Sequence, residues 1–428
     1  MNNSVMSNSS SGTDGGAIYA SSNSKIGADN IAMENNHANN NGGAICLNPA
    51  SLSLNNSKIN NNSATNGGTV YAGPSSTVKL GKTNVTNSSA NENGGSFFVS
   101  GSSLSLNDSS ISNSSAKEDG GAVYGVSGST LKADNTVLSD NVADRNGGSF
   151  FVSDSTLSLG NSNVTNSSAK VNGGAVYAVS GSNITTNNLS MEENKAKQGG
   201  VIYSDESGVS LKNSNLNHNH AEEGGVLYLG TASTTDIKNS HMYNNTSKSG
   251  AVVEISGEDN TLNIKDSSFT NNTVSGEDTY VMNFNSALKL TVTNSNFTNN
   301  TDEKRDMLFS DVSTNNVDIH GNKYDNDYLR AEVTPLNDFY VNDTDDKTFE
   351  FPVEVKLRSV YNVTLTNSQV HVTDNSKINE SFDVNNNKTI LKIKNSDLKS
   401  NKTVINYTFY FDQKWFQLST NQSNLQHI

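Results

Sequence analysis

The chain has little of what crosslinks a small secreted domain or anchors a protein in a membrane. Its 428 residues include a single cysteine, Cys46, so no disulfide can form within the chain. No segment approaches the ~18 consecutive apolar residues of a membrane-spanning helix, and the N-terminal MNNSVMSNSS lacks the charged and apolar regions of a signal peptide. The chain has 29 basic and 43 acidic residues, and the resulting net charge of −14 disfavours nucleic acid and anionic membranes as partners.

Hydrophobic residues are also scarce, at 32 % of the chain, a value that in an aperiodic sequence would predict disorder. Repetition argues against that interpretation. An amide or acidic residue, two glycines, a small residue and a bulky apolar pair recur nine times between Gly15 and Gly225, every 25 to 27 residues. A regular period of this length indicates a solenoid, in which each repeat packs only on its neighbours. The copies are DGGAIY from Asp14, NGGAIC from Asn41, NGGTVY from Asn66, NGGSFF from Asn93, DGGAVY from Asp119, NGGSFF from Asn146, NGGAVY from Asn172, QGGVIY from Gln198 and EGGVLY from Glu223.

Each repeat carries three short strand signals. After the glycines, alternation predicts that Val123 faces the core and Tyr124 the opposite side; a second alternating run follows, as in SLSL from Ser103. In the third signal, an inward-facing apolar residue is followed three residues later by an amide, as Ile59 is by Asn62. We expect this amide to turn the corner. Asn-Gly readily adopts positive φ at a further corner. Together these signals predict an all-β chain, a right-handed parallel β-helix with three-strand coils of about 26 residues, about 4.8 Å apart.

Two domains are predicted. The β-helix covers residues 1–325 and begins within a coil, so we expect the chain to be part of a longer protein. From Ala331 the period gives way to longer alternating runs such as FEFPVEVKLRSV from Phe349. Residues 331–428 are therefore predicted to form a small antiparallel, sandwich-like domain, which acts as a spacer or cap or is simply another β module.

Stacking of the coils would align aromatic residues in one row, interrupted by Cys46 and ending at Val253. If the row faces solvent, it can stack on sugar rings or contact a partner protein. If it faces inward, it is core, and ring stacking of about 0.5–1.5 kcal/mol per pair is sufficient reason for it to exist. The candidate binding residues are Tyr19, Tyr71, Phe98, Tyr124, Phe151, Tyr177, Tyr203 and Tyr228.

Acidic residues on successive coils raise the alternative of a carbohydrate-cleaving enzyme. They are Asp205, Glu206, Glu222, Glu223 and Glu254. They occupy both turn and strand positions, and no coil departs from the repeat to form a pocket with the fixed geometry that catalysis needs. His218, His220 and His241 lie at different offsets from their glycines, which predicts no metal site. We expect no catalytic residue, metal ligand or cofactor.

The combination of GGA[IVL] with an apolar-x-x-Asn corner resembles the repeat of chlamydial polymorphic outer membrane proteins, which pairs GGAI with FxxN. It is also similar to Asn-rich, adhesin-like surface proteins of methanogenic archaea. The likeness covers residues 1 to about 320 and is closest at GGAIY, from Gly15, and at FTNN, from Phe269 and Phe297. Chlamydial members carry a signal peptide and an outer-membrane barrel, neither of which is recognisable in this sequence, and the β domain from Ala331 fits the archaeal type better.

The resemblance implies an extracellular or cell-surface adhesin that binds glycans or surface proteins of other cells without catalysis. Two alternatives remain open at this point. One is a pectin-lyase-like enzyme, a polysaccharide lyase or hydrolase, which the predicted fold and the acidic turns would allow. The other is a purely structural surface spacer, which needs no ligand.

Overall fold

A computed structural model describes residues 1–276, 279–286, 288–300, 306–310 and 317–325, and, beyond them, ten strands between Leu329 and His427. All regular secondary structure in these residues is β-strand. Parallel pairing from coil to coil builds a solenoid of about 12 coils, which confirms the predicted parallel β-helix. No helix long and apolar enough to cross a membrane occurs in the part of the chain that is described.

The largest sheet, here sheet I, has 22 strands and receives two strands from most coils. In the first two coils these are fused into Ile18–Asp29 and Ile45–Asn55. The other strands that follow the glycine pairs are Val70–Ala72, Phe97–Ser100, Val123–Val126, Phe150–Ser153, Val176–Val179, Ile202–Ser204, Leu227–Leu229, Val253–Ile255, Thr279–Phe284 and Asp306–Phe309. The second strands are Thr77–Gly81, Ser103–Asn107, Thr130–Asp134, Thr156–Gly160, Asn183–Asn187, Gly208–Lys212, Thr234–Lys238, Asn260–Lys265, Leu288–Thr293 and Val317–His320.

Sheet II has 13 short strands, one per coil. They are Val5–Ser7, Ala32–Glu34, Lys58–Asn60, Asn84–Thr86, Ser110–Ser112, Val137–Ser139, Asn163–Thr165, Ser190–Glu192, Asn215–Asn217, His241–Tyr243, Ser268–Thr270, Asn296–Thr298 and Lys323–Asp325.

Sheet III consists of two-residue strands that the sequence patterns did not predict. Seven of them form one ladder, and Thr246–Ser247 pairs separately with Thr273–Val274. The seven are Ser10–Ser11, His37–Ala38, Ser63–Ala64, Ser89–Ala90, Ser115–Ala116, Val142–Ala143 and Ser168–Ala169. A coil thus has three faces, as predicted, but two of the three predicted strands lie in sheet I and the third face is sheet III.

The core runs along the rod as rows of identical positions. Val78, Leu104, Leu131 and Leu157 are paired in register on four consecutive coils, and all are buried. Val123 is fully buried, as its alternation predicted. One continuous apolar cluster extends from Ala20 to Ile319. Since each residue contacts its equivalents one coil away, a modest apolar content is enough to form a continuous core.

The two glycines of each repeat have different tasks. The first adopts the left-handed conformation, as Gly42 does with φ of 66°. The second lies too close to the next coil for a side chain, because a Cβ on Gly43 would lie 2.1 Å from the carbonyl oxygen of Gly68. Positive φ at this corner therefore belongs to the glycine, and glycine alone fits at both positions.

The Asn of the apolar-x-x-Asn pattern lies inside the coil, so the expectation that it turns the corner was wrong. The left-handed residue is the one before it, Asn61, with φ of 53°. Asn62 is fully buried and its Oδ1 accepts from the backbone N and Nδ2 of Asn36, at 2.9 and 3.0 Å. Its own Nδ2 donates to the carbonyl of Met33. A buried amide ladder thus satisfies backbone groups that the turn leaves unpaired.

The strands beyond residue 328 pair mainly antiparallel. They are Leu329–Thr334, Phe339–Val341, Thr348–Leu357, His371–Thr373, Asn379–Asp383, Lys388–Lys394, Lys402–Asn406, Thr408–Tyr410, Phe416–Leu418 and Gln422–His427. Five pairs are antiparallel and two are parallel. The segments that connect them lie outside the described residues, so a sandwich-like domain at 331–428 stays a prediction.

Candidate binding surface

The aromatic row is produced by the register of sheet I. Tyr71 pairs with Phe98, Phe98 with Tyr124, and the pairing continues one coil at a time to Tyr228. The residue before each ring points the other way, into the core, where Phe97 and Phe150 are fully buried. The rings therefore lie on the outer face of the rod.

Seven rings, from Tyr71 to Tyr228, form one continuous stack, hereafter the aromatic stack. Consecutive ring centroids are 4.6–5.2 Å apart and the planes are inclined by 9–25°. Each interior ring consequently has another ring on both faces, and the rings are half-buried except Tyr228, which is buried. A ligand therefore meets ring edges and tyrosine hydroxyls, because the ring faces are largely covered by neighbouring coils.

The tyrosine hydroxyls of the stack remain protonated near neutral pH. Burial is the main cause that raises the pKa of Tyr71, Tyr124, Tyr177, Tyr203 and Tyr228. A neutral phenol both donates and accepts a hydrogen bond. The solvent-facing edge of the stack is thus an apolar strip that carries hydroxyls at four half-buried positions, Tyr71, Tyr124, Tyr177 and Tyr203, whereas Tyr228 is buried.

A polar ladder borders the stack at the corner before the glycines. Asp119 Oδ1 accepts from the backbone N and Nδ2 of Asn146, at 3.1 and 3.0 Å. Arg145 donates from Nη2 to Asp119 Oδ2 at 2.5 Å and from Nε to Oδ1 at 3.3 Å. Asp119 lies at the corner of the same coil, five residues before Tyr124, and beyond the effect of burial its charge raises the pKa of Tyr124 while that of Arg145 lowers it. This corner therefore holds a guanidinium in a fixed orientation next to the aromatic edge.

At its N-terminal end the row is interrupted by Cys46, which is paired in register between Tyr19 and Tyr71. Tyr19 is 53 % exposed, whereas Cys46 is only 3 % exposed. Burial, with a smaller contribution from Asp14, raises the pKa of the Cys46 thiol to about 12. The thiol is thus a buried packing group, and Tyr19 stands apart from the seven-ring stack.

At the other end the row was predicted to stop at Val253, which is wrong by one residue. Val253 pairs with Leu227 in the core, and Glu254 pairs with Tyr228. Tyr228 lies four residues after Gly224 and Glu254 four residues after Gly250, so counting from the glycine pair would have revealed this. The stack therefore ends on a carboxylate.

Glu254 is 3 % exposed and is held by three side chains. Oε2 accepts from Ser249 Oγ at 2.8 Å, and Oε1 accepts from Nδ2 of Asn283 at 2.8 Å and of Asn285 at 2.6 Å. Burial raises the pKa of Glu254 to about 7, with hydrogen bonds from Ser249 and Asn283 opposing the rise and nearby Glu223 adding to it. Two of the donors belong to the following coil, so the carboxylate joins two coils.

The other predicted acidic candidates do not converge on a shared cleft. Asp205 Oδ1 accepts from the backbone N of Thr231 at 2.6 Å, and Glu222 forms an ion pair with Lys248 at 3.5 Å. Glu223 accepts from Gln198 Nε2 at 2.7 Å. Glu206 is exposed and takes the left-handed conformation in a turn. Asp205, Glu222 and Glu223 therefore have local structural roles, and Glu206 is an exposed turn residue.

The three histidines are likewise separate. His220 Nδ1 lies 2.9 Å from Thr246 Oγ1, and His241 Nδ1 lies 2.5 Å from Ser268 Oγ. His218 Nδ1 lies 2.8 Å from Asn217 Oδ1. Within the described residues, no group of three or more His, Cys, Asp or Glu side chains could hold a metal ion.

Comparison with known protein families gives a match to part of one repeat. Residues 30–48 match the model of the Chlamydia polymorphic membrane protein repeat. This segment contains the buried pair Met33 and Asn36 and the glycine pair Gly42 and Gly43, which together define the corner geometry described above. No curated protein and no solved structure gives a significant match. The match supports the chlamydial part of the predicted resemblance, and nothing supports the archaeal part.

Proposed function

We propose that this chain is a non-catalytic, adhesin-like β-helix protein of the cell surface, and that the aromatic stack is its contact surface for glycans or proteins of other cells. The observation that carries the proposal is the stack itself. Seven half-buried or buried rings lie in line on the outer face of a continuous sheet, over about 30 Å given their centroid spacings. Aromatic residues with an apolar body and a polar tip are favoured at interfaces.

The stack is pre-organised for binding. Ring stacking and pairing on both sides fix each side chain before a partner arrives, so little conformational entropy remains to be lost on association. Because the ring faces are covered, the partner would contact ring edges and accept or donate hydrogen bonds at the tyrosine hydroxyls. This favours a partner with an extended, mixed apolar and hydroxyl-bearing surface, such as a glycan chain or a flat protein surface.

The surface location rests on the family match. The matched repeat is described as that of a polymorphic membrane protein of Chlamydia. A non-catalytic role is supported by the separate structural roles of Asp205, Glu222 and Glu223 and by the burial of Glu254 beneath three hydrogen-bond donors. A carboxylate held in this way is unavailable to an external substrate.

The proposal is tested by attachment of the full chain to cultured host cells and to a glycan array. Y124S/Y177S/Y203S removes three rings and is expected to reduce attachment at least about tenfold. Y124F/Y177F/Y203F keeps the rings and removes only the hydroxyls, so any decrease in attachment of this variant measures hydrogen bonding to the partner. T130A/T156A/T185A, on the neighbouring strand of sheet I, is the matched control and should attach like the wild type.

Thermal unfolding followed by circular dichroism is needed for every variant, so that lost attachment is not confused with lost folding. Wild-type attachment by a folded Y124S/Y177S/Y203S variant would rule out the stack as the contact surface and favour the spacer role. No attachment of the wild type to any cell or glycan would contradict the adhesin function itself.

A further inference from the structure

Three lysines occupy the same position on three consecutive coils, at the end of the second strand of sheet I. Lys212 pairs in register with Lys238, and Lys238 with Lys265. All three side chains are exposed. Parallel strands lie about 4.8 Å apart, so the three Cα atoms form a file of about 10 Å parallel to the rod axis. We call this file the lysine row.

The lysine row is not a property of the repeat. The same position on earlier coils holds neutral or acidic residues, which are Asp29, Asn55, Gly81, Asn107, Asp134, Gly160 and Asn187. Like charges directly opposite each other on neighbouring strands destabilise a sheet. Three such lysines in succession therefore oppose folding slightly, in a chain whose net charge is −14.

No ion pair relieves this repulsion within the described residues. The lysines that do form ion pairs there are Lys170 and Lys248, on other faces of the coil. Two acidic residues lie next to the row: Asp236, two residues before Lys238, accepts a hydrogen bond from Asn263 Nδ2 at 2.8 Å, and Asp266 directly follows Lys265 at the corner. The three ammonium groups are thus available to an external anion.

Polar side chains, most of them neutral, border the lysine row. Ser210 and Asn263 lie on the same outer face of their strands, two residues before Lys212 and Lys265. On the other side, the corner residues Asn213 and Asn239 adopt positive φ, and Asn239 Nδ2 donates to Asn213 Oδ1 at 3.4 Å. A single file of three cations, bordered mainly by amides and hydroxyls and by the carboxylates of Asp236 and Asp266, suits a linear ligand that carries both negative charges and hydroxyl groups.

We propose that Lys212, Lys238 and Lys265 form a binding site for a linear anionic polysaccharide, whose carboxylate or sulfate groups lie along the file. A duplex nucleic acid or an anionic membrane presents a broad charged surface and requires a wide basic face, which the acidic rod does not offer. The narrow row instead matches one polymer chain lying along the rod. This site is separate from the aromatic stack and is independent of whether the stack binds a partner.

Direct binding of the full chain to immobilised polymers tests this inference. The probes are polygalacturonate, which is carboxylated, dextran sulfate, which is sulfated, uncharged dextran, and an oligodeoxythymidylate as a phosphate polymer. We expect binding to at least one acidic polysaccharide but not to dextran, and loss of that binding near 1 M salt, where the Debye length falls to about 3 Å. K212Q/K238Q/K265Q should bind at least about tenfold more weakly.

The matched control is K58Q/K79Q/K117Q, which removes three exposed lysines that do not share a row. It has the same net charge as the test variant and should retain binding within about twofold of the wild type. The proposal is overturned if the wild type binds neither acidic polysaccharide, if both triple variants lose binding equally, or if the test variant binds normally. Equal or tighter binding of the oligodeoxythymidylate would overturn the choice of a polysaccharide. None of these outcomes depends on attachment through the stack.

Discussion

The two interruptions of the aromatic row occupy equivalent positions and differ in nearly every other respect. Cys46 and Glu254 each replace a ring, and each is 3 % exposed. Cys46 is small and apolar, so its burial disturbs little beyond the missing ring contacts. Glu254 brings a charge into the same slot and is surrounded by Ser249, Asn283 and Asn285. The same backbone position can thus end the stack with a small buried group, as at Cys46, or with a hydrogen-bonded junction between coils, as at Glu254. The side chain alone makes this difference.

The largest effect should come from replacing Glu254 by its neutral isostere. The folded-state pKa, about 7, lies above the ordinary value of 4.5. Below pH 4.5 both folded and unfolded chains are protonated at this site, and the carboxyl has no penalty. Between pH 4.5 and 7 the unfolded chain ionises first, so stability falls as pH rises, and above pH 7 the penalty is constant. E254Q should remove this ionisation penalty.

For E254Q we therefore expect the same stability as wild type near pH 4, and above pH 7 a gain on the order of 3 kcal/mol for the coils around residue 254. Hydrogen exchange of the strand Val253–Ile255 and its neighbours, measured at both pH values, gives the local free energy of opening. The difference between variant and wild type cancels the titration of all other groups. A gain of equal size at both pH values would contradict the assignment.

An effect of comparable size is expected from removal of an interior ring. Phe151 stacks on Tyr124 and Tyr177, with centroid distances of 4.6 and 5.2 Å. F151A eliminates both pairs and should lose about 2 kcal/mol of stacking in addition to the buried area of the ring. C46A, at the equivalent position but with no ring of its own to remove, is the control and should lose less. Comparable losses in thermal unfolding would mean that stacking contributes little.

Completing the row at Cys46 should stabilise the first coils. C46F places a ring where eight other coils already carry one, and it can contact both Tyr19 and Tyr71 across the register. We expect a gain of about 1–2 kcal/mol from two new pairs and a decrease in the exposure of Tyr19. Thermal unfolding and tyrosine fluorescence would report both. A lower unfolding temperature would show that the slot at Cys46 has closed and no longer accommodates a ring.

The smallest structural perturbation is chemical modification of the Cys46 thiol. Because burial raises the pKa of Cys46 to about 12 and covers the sulfur, the native thiol should react with iodoacetamide far more slowly at pH 8 than the same thiol in denaturant. Mass spectrometry of native and denatured samples measures the ratio. Equal rates would mean that the coil around Cys46 opens readily, and the passive role assigned to this interruption would be lost.

Several features of the fold were predictable because they repeat within each coil. The glycine period, the inward direction of Val123 and the alternation in SLSL are local signals, and each led to a correct strand or core position. The interior position of Asn62 was missed, because its partners, Asn36 and Met33, lie a full coil away in the chain. Sheet III was also missed, since two-residue strands such as Ser89–Ala90 are too short to show alternation.

The same limit applies to the candidate surface. That the rings align in one row was predicted from the spacing of the repeat, and so was the interruption at Cys46. The sequence could not show that neighbouring rings cover each other's faces. This depends on how the rings are inclined, with centroids 4.6–5.2 Å apart. The lysine row also becomes visible only when Lys212, Lys238 and Lys265 are brought into register.

The sequence by itself therefore determined the period, the class of fold and the identity of the rows, because a solenoid converts spacing along the chain directly into neighbours in space. Tertiary structure decided what each row can do. Whether a side chain is covered, which atom donates to it and how its pKa shifts depend on groups about 26 residues away, as Glu254 with its donors from the following coil illustrates. Burial and pairing across coils are cooperative properties of the stacked rod, and no single repeat contains them.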